Sequence, residues 1–355
     1  MSKQTLLDIQ RSAGAVFAEM EMDRPFVLHF GKPHAEFQSA RNTAAVFDLS
    51  DRTQIEMTGN DRCSFLHNFC TNDIKSLQPG QGCQAFVTNV KGRVLSHIFV
   101  FAELDSLWLE TVAETEEAIL AHLNRYIISE DVQLHGRSSD FGELFMTGPE
   151  TLARLGRLNL AVEELDLYGH TTWSLGDVSI SVRRTDFLGT LGFLLSVPAA
   201  ELVNLWDLLI DMHVSPAGAE AFHALRIEAG TPLYGRDISD TNLAQEVAHT
   251  KQAISFAKGC YLGQEPIARI DALGHVNQEL RGLRLQSGPV PKPGSLVVTG
   301  QDEKEVGMIT SSALSYDDGK PVALAYLRRG FVTPGTVVSV KSSDLSVAAT
   351  VFWPH

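Results

Sequence analysis

The stretch Lys258-Gly259-Cys260-Tyr261-Leu262-Gly263-Gln264-Glu265, followed by Arg269, is the most informative part of the chain. Two glycines so close together disfavour a strand or a helix interior, because each gives up much backbone entropy there. The pattern therefore predicts a loop or a helix entrance where the backbone comes close to another group. It places one cysteine among a lysine, an aromatic ring and a carboxylate.

Cys260 has two interpretations. The functional one is a reactive or ligand-handling thiol, since Lys258 and a helix start would both favour the thiolate. The structural one is a small buried hydrophobic residue, which is what most free cysteines are. The flanking glycines and the Gln264–Glu265 pair favour the functional interpretation. The other cysteines are predicted to be structural, and they are Cys63, Cys70 and Cys83.

The composition is that of a globular protein with an acidic balance. A length of 355 residues predicts roughly two to three domains. Hydrophobic residues make up 44% and charged residues 20% of the chain, which is ordinary for a folded protein. The formal net charge of -14 disfavours extended nucleic-acid or anionic-membrane binding, so neither partner is expected.

Several common sites and segments are absent from the sequence. The four cysteines contain no C-x-x-C pair, so neither a structural zinc site nor a dithiol redox site is expected. Four cysteines in 355 residues are too few for a disulfide scaffold, which favours reduced thiols and a cytoplasmic location. The histidines show no H-x-x-x-H or H-E-x-x-H spacing, so no metal site is predicted. The sequence contains no apolar run of about 18 residues, so no transmembrane helix is expected. The usual hydrolase, nucleoside-triphosphatase and dinucleotide motifs are missing.

Hydrophobic periodicity predicts an α+β fold in the first three quarters of the chain. Amphipathic helices are expected at 5–20 and 60–69. Strands at 84–90, 93–101 and 107–111 precede a helix at 116–126, and strands at 174–184 and 192–197 precede a helix at 200–212. The recurring order of strand, strand and helix indicates two related α+β halves rather than a doubly wound sheet.

The pattern of apolar and turn-forming residues changes after about residue 278. Short apolar runs alternate with glycine, proline and aspartate turns, which is typical of a small β-barrel. The six predicted strands are 280–285, 295–298, 306–310, 321–327, 337–340 and 348–352. The predicted domains are therefore a first α+β region at 1–140, a second at 141–277 that contains the cysteine motif, and a barrel at 278–355.

Two further segments each have two interpretations. The run Phe86–His97, with Lys91-Gly92 at a turn, is a plain hairpin, or its turn lines a pocket in which Asn89, Lys91 and Ser96 meet a polar ligand edge. In the run that starts at Arg226, this arginine pairs with Glu228, or its planar guanidinium clamps a carboxylate.

The motif at 258–265 closely resembles the K-G-C-Y-x-G-Q-E signature of the YgfZ family, which is similar to the T-protein (aminomethyltransferase) of the glycine cleavage system. Further runs resemble T-protein positions in the right order: Phe47-Asp48-Leu49-Ser50, Thr88–Ser96, Arg184-Thr185, Gly189, Gly192-Phe193, Arg226–Gly235, Val306-Gly307 and Thr310-Ser311. The resemblance implies two ferredoxin-like halves around a central tetrahydrofolate site, with a C-terminal barrel. It implies that folate is bound by Asn89, Lys91, Gly92, Ser96 and Arg226.

The chain also departs from the T-protein pattern. Ser96 and His97 stand where T-proteins carry an Asp-Asp pair, one of which is essential to methylene transfer. Thr190 replaces a glutamate that helps to hold the pterin. Separately, Ala244 stands in place of the usual proline in the Leu-Pro-Gln-Glu run that precedes the cysteine motif, which is a mild departure. Ser96 cannot supply a carboxylate, and His97 would act as a base only through different chemistry.

These departures, together with the cysteine motif, imply a YgfZ-like protein. Such proteins bind folate and support the assembly or repair of iron–sulfur enzymes, so the expected partners are folate and iron–sulfur enzymes or their assembly machinery. Cys260 is then the functional thiol, within the motif of Lys258, Gly259, Tyr261, Gly263, Gln264 and Glu265. The alternatives are a folate-dependent aminomethyltransferase, or another one-carbon transferase or demethylase with His97 or Glu265 as base.

Overall fold

The computed structural model describes residues 5–18, 25–247, 250–299, 303–342 and 345–352. Within these residues the helices are α1 Leu6–Ser12, α2 Pro33–Asn42, α3 Arg62–Phe69, α4 Glu116–Asn124, α5 Thr151–Gly156, α6 Leu202–Asp211, α7 Ala219–Glu228, α8 Thr250–Ala253 and α9 Gln264–Leu273. Single 3₁₀ turns lie at Ala199–Glu201, Ala244–Val247 and Arg329–Phe331.

The strands alternate with these helices until the last quarter of the chain, where strands dominate. They are β1 Val16–Phe17, β2 Val27–His29, β3 Ala45–Asp48, β4 Thr53–Thr58, β5 Gly82–Thr88, β6 Val94–Ala102, β7 Ser106–Thr111, β8 Gln133–Gly136, β9 Phe141–Thr147, β10 His170–Leu175, β11 Val178–Thr185, β12 Gly192–Pro198, β13 Ser215–Ala217, β14 Gln278–Leu285, β15 Leu296–Val298, β16 Glu305–Leu314, β17 Pro321–Arg328, β18 Val337–Ser342 and β19 Leu345–Phe352.

The chain forms two compact units, each assembled from separate stretches of sequence. The first unit contains residues 1–62, 77–82 and 99–223, and the second contains 63–76, 83–98 and 224–355. The three-part division along the sequence therefore stays a prediction.

The first unit is built on a six-stranded sheet of order β10–β11–β12–β9–β3–β13. Only β13 runs parallel to its neighbour, β3. Helix α6 buries Leu202, Leu205, Trp206 and Leu209, and this spacing of three and four residues presents one apolar face. That face joins the strand residues, such as Leu144, in one hydrophobic core. An antiparallel ladder of β8, β4, β7 and the last residues of β6 completes the unit.

The second unit contains a closed six-stranded barrel of order β14–β17–β16–β15–β18–β19. Its interior is filled by aliphatic side chains such as Leu283, Ile309 and Val340. The predicted barrel of six short strands is confirmed, because period-two patterns punctuated by glycine and proline turns identify such strands well. The predicted hairpin is confirmed too: β5 and β6 are joined through a turn in which Gly92 has φ +69°.

Two predictions of local structure are wrong. The helix expected at 5–20 ends at Ser12, because Gly14 takes φ +87° and residues 16–17 form β1; residues 19–20 lie outside the described part. The single strand expected at 174–184 is two strands, β10 and β11, which turn at Gly176 with φ +61°. In both cases a glycine in the left-handed region changes the chain direction within an apolar pattern. No helix in the described stretches combines the length and apolar character needed to cross a membrane.

Candidate functional site

The cysteine motif forms the entrance to helix α9, as its two glycines predict. Gly263 is the residue that caps the helix, and it has a left-handed φ of +82°. Gln264 and Glu265 therefore lie in the first helical turn, and Cys260 lies on the loop before it. All of the predicted site residues belong to the second unit.

The motif loop is attached to the β5–β6 hairpin. The hydroxyl of Thr88 donates a hydrogen bond of 2.7 Å to the carbonyl oxygen of Leu262. A Cβ atom on Gly92 would stand 3.2 Å from the carbonyl oxygen of Gly263 and 3.3 Å from Cβ of Pro266. Tyr261 belongs to a buried apolar cluster that also contains the hairpin residues Phe86 and Val94. The structure thus brings together the predicted folate hairpin and the cysteine motif.

Lys258 has a structural role. Its buried ammonium group donates hydrogen bonds to the carbonyl oxygens of His67, Cys70 and Asn72, where helix α3 ends. It also lies 4.7 Å from the ring centroid of Tyr261. An ammonium group has three donors, so these carbonyls engage all of them. The ammonium group of Lys258 is therefore held at the end of α3. Burial lowers the pKa of Lys258.

The four cysteines differ in exposure. Cys260 is exposed, Cys63 and Cys83 are half-buried, and Cys70 is buried. Burial raises the thiol pKa of both Cys70 and Cys83. Since the thiolate is the reactive form, Cys260 is the cysteine best placed to react with a partner from solution.

Helix α9 borders a cavity of about 380 Å³. Its polar lining comes from Glu246, Glu265, Arg269, His275 and Asn277, and Leu243, Pro266, Ile270, Leu273 and Val276 supply the apolar lining. Glu265 and Arg269 are one helical turn apart and exposed. Cys260 is not among the lining residues.

The predicted folate residues differ in accessibility. Lys91 is exposed and Asn89 is half-buried, whereas Gly92, Ser96 and Arg226 are buried. The side chain of Asn89 shapes the turn, because its Oδ1 accepts hydrogen bonds from the backbone N–H groups of Lys91 (2.9 Å) and Arg93 (3.1 Å).

Arg226 lies in a buried ionic network. Its guanidinium donates to Asp237 Oδ2 at 2.8 Å, to Ser311 Oγ at 2.7 Å and to the Thr231 carbonyl oxygen at 3.0 Å. Thr310 donates to the other oxygen of Asp237 at 2.5 Å. Burial lowers the pKa of Arg226. The sequence interpretation missed Asp237 as the partner, although Arg226 and Thr310-Ser311 both lie in runs that resemble T-protein positions.

Family comparisons agree with this architecture. The model described as the GCVT N-terminal domain matches residues 6–258, and the model of the glycine cleavage T-protein C-terminal barrel domain matches residues 278–354. The chain belongs to the glycine cleavage T-protein (GCVT) family. The predicted similarity to T-proteins and the predicted T-protein fold with its C-terminal barrel are therefore confirmed.

This T-protein family member matches curated relatives over nearly the whole length of both chains. It is 30% identical over 353 residues to an aminomethyltransferase of Herpetosiphon aurantiacus, and this match covers 98% of this chain and 96% of the relative. It is 28% identical to an aminomethyltransferase of Streptomyces avermitilis over 94% of this chain and 91% of the relative. The crystal structure of glycine cleavage system aminomethyltransferase T from Bartonella henselae superposes with a TM-score of 0.88 at 23% identity, over 99% and 97% of the two chains.

The positions that depart from the T-protein pattern have local partners in this member of the family. His97 is buried, with Nε2 2.7 Å from Gln84 Oε1 and its ring 4.9 Å from that of Phe86. Ser96 is completely buried. In the first unit, the hydroxyl of Thr190 lies 3.2 Å from that of Thr147. Among the described residues, no group of three or more histidine, cysteine, aspartate or glutamate side chains is arranged to hold a metal ion.

Proposed function

We propose that this T-protein family member binds tetrahydrofolate and supports the assembly or repair of iron–sulfur enzymes through the thiol of Cys260. The observation that carries the proposal is that Cys260 is exposed, whereas motif residues before and after it are held in place by contacts. Lys258 is bonded to three carbonyl groups on one side, and Gly263 packs against the hairpin on the other. A thiol presented on such a rigid loop is suited to meet a macromolecular partner.

The folate part of the proposal rests mainly on Asn89 and Lys91. Lys91 is exposed, and its ammonium group has no partner among the described residues, so it suits the carboxylates of a folate glutamate tail. Ser96 and Arg226 are buried, and Arg226 is engaged by Asp237, so in this proposal they position the hairpin and its surroundings. Tetrahydrofolate, when bound, would supply one-carbon carrier chemistry.

The residues present do not favour aminomethyl transfer. Neither Ser96 nor His97 has a carboxylate, and the imidazole of His97 is held against Gln84 in the interior. A positioned general acid or base typically contributes roughly 10²- to 10⁴-fold in rate. We therefore expect no robust transfer from an aminomethylated carrier protein.

The folate part is tested by calorimetric titration with tetrahydrofolate. Lys91→Ala should weaken binding by about 1–3 kcal/mol if a charged hydrogen bond is lost. Lys75→Ala, which removes an exposed lysine of the same unit, is the matched control. Absence of binding to the unaltered protein would contradict this part of the proposal.

The thiol part is tested by complementation of cells that lack the protein, with the activity of an iron–sulfur enzyme as readout. Cys260→Ala should lose the support, and Cys63→Ala should keep it. Folate affinity and the unfolding midpoint should be unchanged in both variants. Full complementation by Cys260→Ala would show that the motif does not work through its thiol.

The second candidate function is aminomethyl transfer itself. It is favoured by the relatives named aminomethyltransferase, which are 28–30% identical over nearly the whole chain. The discriminating measurement is the glycine-cleavage half-reaction with aminomethylated carrier protein and tetrahydrofolate. Folate binding without turnover supports the first function, and turnover supports the second.

A further inference from the structure

A small cavity in the first unit combines aromatic rings with carboxylates. It has a volume of about 80 Å³ and is bordered by α1, β2, the end of β3 and the start of α7. Its aromatic lining comes from Phe26, Phe30, Phe47 and Phe222. None of the described residues that line it is a lysine or an arginine. We propose that this cavity binds a small alkylammonium ion that retains an N–H group.

The first argument is an unsatisfied acceptor. Gln10 is completely buried and lines the cavity. Its Nε2 donates to Asp48 Oδ2 at 3.0 Å, whereas its Oε1 has no hydrogen-bond partner among the described residues. A buried acceptor without a donor is destabilising, so such groups are normally paired. The N–H of a bound ammonium ion would satisfy it.

The second argument is the charge of the lining. Asp48 and Asp51 contribute carboxylates, although Asp51 also interacts with the buried guanidinium of Arg52, so Asp48 is the carboxylate expected to bind the cation. His223 is the only other titratable group among the described residues that line the cavity. Asp48 accepts hydrogen bonds from Gln10 Nε2 and, at 3.0 Å, from the Ser50 N–H, and both of these donors are neutral. Its negative charge therefore favours a cation in the cavity.

A nearby buried carboxylate shows the contrast. Glu36 accepts hydrogen bonds from the backbone N–H groups of Phe30 (2.7 Å), Lys32 (3.3 Å) and Gly218 (3.0 Å). Both of its oxygens are thereby engaged, and it does not line the cavity. Glu36 orders the backbone, whereas Asp48 and Gln10 supply acceptors to the cavity.

The third argument is the aromatic surface. The rings of Phe47 and Phe222 meet edge to face with centroids 5.5 Å apart, so these two walls pack against each other. Ring faces attract cations, and they also pack against methyl groups. The volume admits only a few non-hydrogen atoms. Dimethylammonium has a suitable size, one charge, two N–H donors and two methyl groups.

The test is calorimetric titration of the whole protein with dimethylammonium chloride at low ionic strength. 2-Propanol is the uncharged control, because it has a similar size and an O–H donor. The expected result is saturable binding of dimethylammonium that 2-propanol does not reproduce. Asp48→Asn should weaken the binding by about 10- to 100-fold. Asp105→Asn, which neutralises an exposed carboxylate outside the cavity, should leave it unchanged.

Three results with the unaltered protein and Asp48→Asn would overturn the proposal. They are the absence of saturable binding, equal binding of 2-propanol, and unchanged affinity in a folded Asp48→Asn variant. Thermal unfolding establishes whether each variant is folded. If Asp48→Asn does not fold, Gln10→Leu takes its place, since it removes the unpaired acceptor and should likewise weaken binding. Unchanged affinity in folded Gln10→Leu would also contradict the proposal.

Discussion

Gly263 lies so close to Asn89 that a Cβ atom on the glycine would stand 2.3 Å from the asparagine carbonyl oxygen. The same atom would meet Thr88 Oγ1 at 2.9 Å. The backbone of the motif therefore touches the backbone of the hairpin without a side chain between them. This contact explains why a glycine stands immediately before helix α9.

Gly263→Ala should destabilise the protein for two reasons. A left-handed φ in an alanine is unfavourable by about 1–2 kcal/mol, and the contact with Asn89 adds about 1–3 kcal/mol of overpacking. Gly274→Ala is the matched control, because Gly274 also has a left-handed φ, of +71°, but nothing within 4 Å of an added Cβ. Denaturant unfolding of both variants measures the difference, and equal losses would contradict the close approach.

Arg226 and Asp237 form a buried pair, and removal of one partner leaves the other charge uncompensated. Arg226→Met should therefore lower the free energy of unfolding by about 3–5 kcal/mol. Arg226→Met combined with Asp237→Asn should lose less than the sum of the two single variants, because the stranded charge is gone. The exposed Arg236→Met is the control. Additive losses would show that the two residues are not coupled.

Glu143 makes the stability of the first unit depend on pH. It is completely buried 3.0 Å from Arg183, and burial raises its pKa from 4.5 to about 7 although Arg183 and Arg52 act in the opposite direction. The folded protein thus holds this proton to a higher pH than the unfolded chain. The resulting stabilisation is complete below about pH 4.5 and is lost as the pH rises through about 7.

In Glu143→Gln, the fall in the free energy of unfolding across this pH range should be smaller than in the unaltered protein. The exposed Glu163→Gln should keep the full pH dependence. Unfolding curves at several pH values provide the measurement. An unchanged slope in Glu143→Gln would assign the pH dependence to other groups.

The sequence predicts the barrel and the β5–β6 hairpin well, because alternating apolar residues and glycine turns are local signals. It does not predict the partners of Arg226 and Lys258. Asp237 is one of several carboxylates near Arg226 in sequence, and the carbonyl groups bound by Lys258 lie almost two hundred positions earlier in the chain. Such pairings depend on tertiary packing, which a single sequence does not display.

The reactivity of Cys260 should depend on its exposure rather than on the charge of Lys258. Timed iodoacetamide labelling, followed by peptide mass spectrometry, should modify Cys260 before Cys63, Cys70 and Cys83, because burial raises the thiol pKa of the last two. Lys258→Met should destabilise the end of α3 and leave the labelling rate of Cys260 in the folded protein unchanged. The exposed Lys251→Met is the control for the loss of a positive charge. If Lys258→Met alone slows the labelling of Cys260, the ammonium group activates the thiol, and its bonds to the α3 carbonyls do not account for its place in the motif.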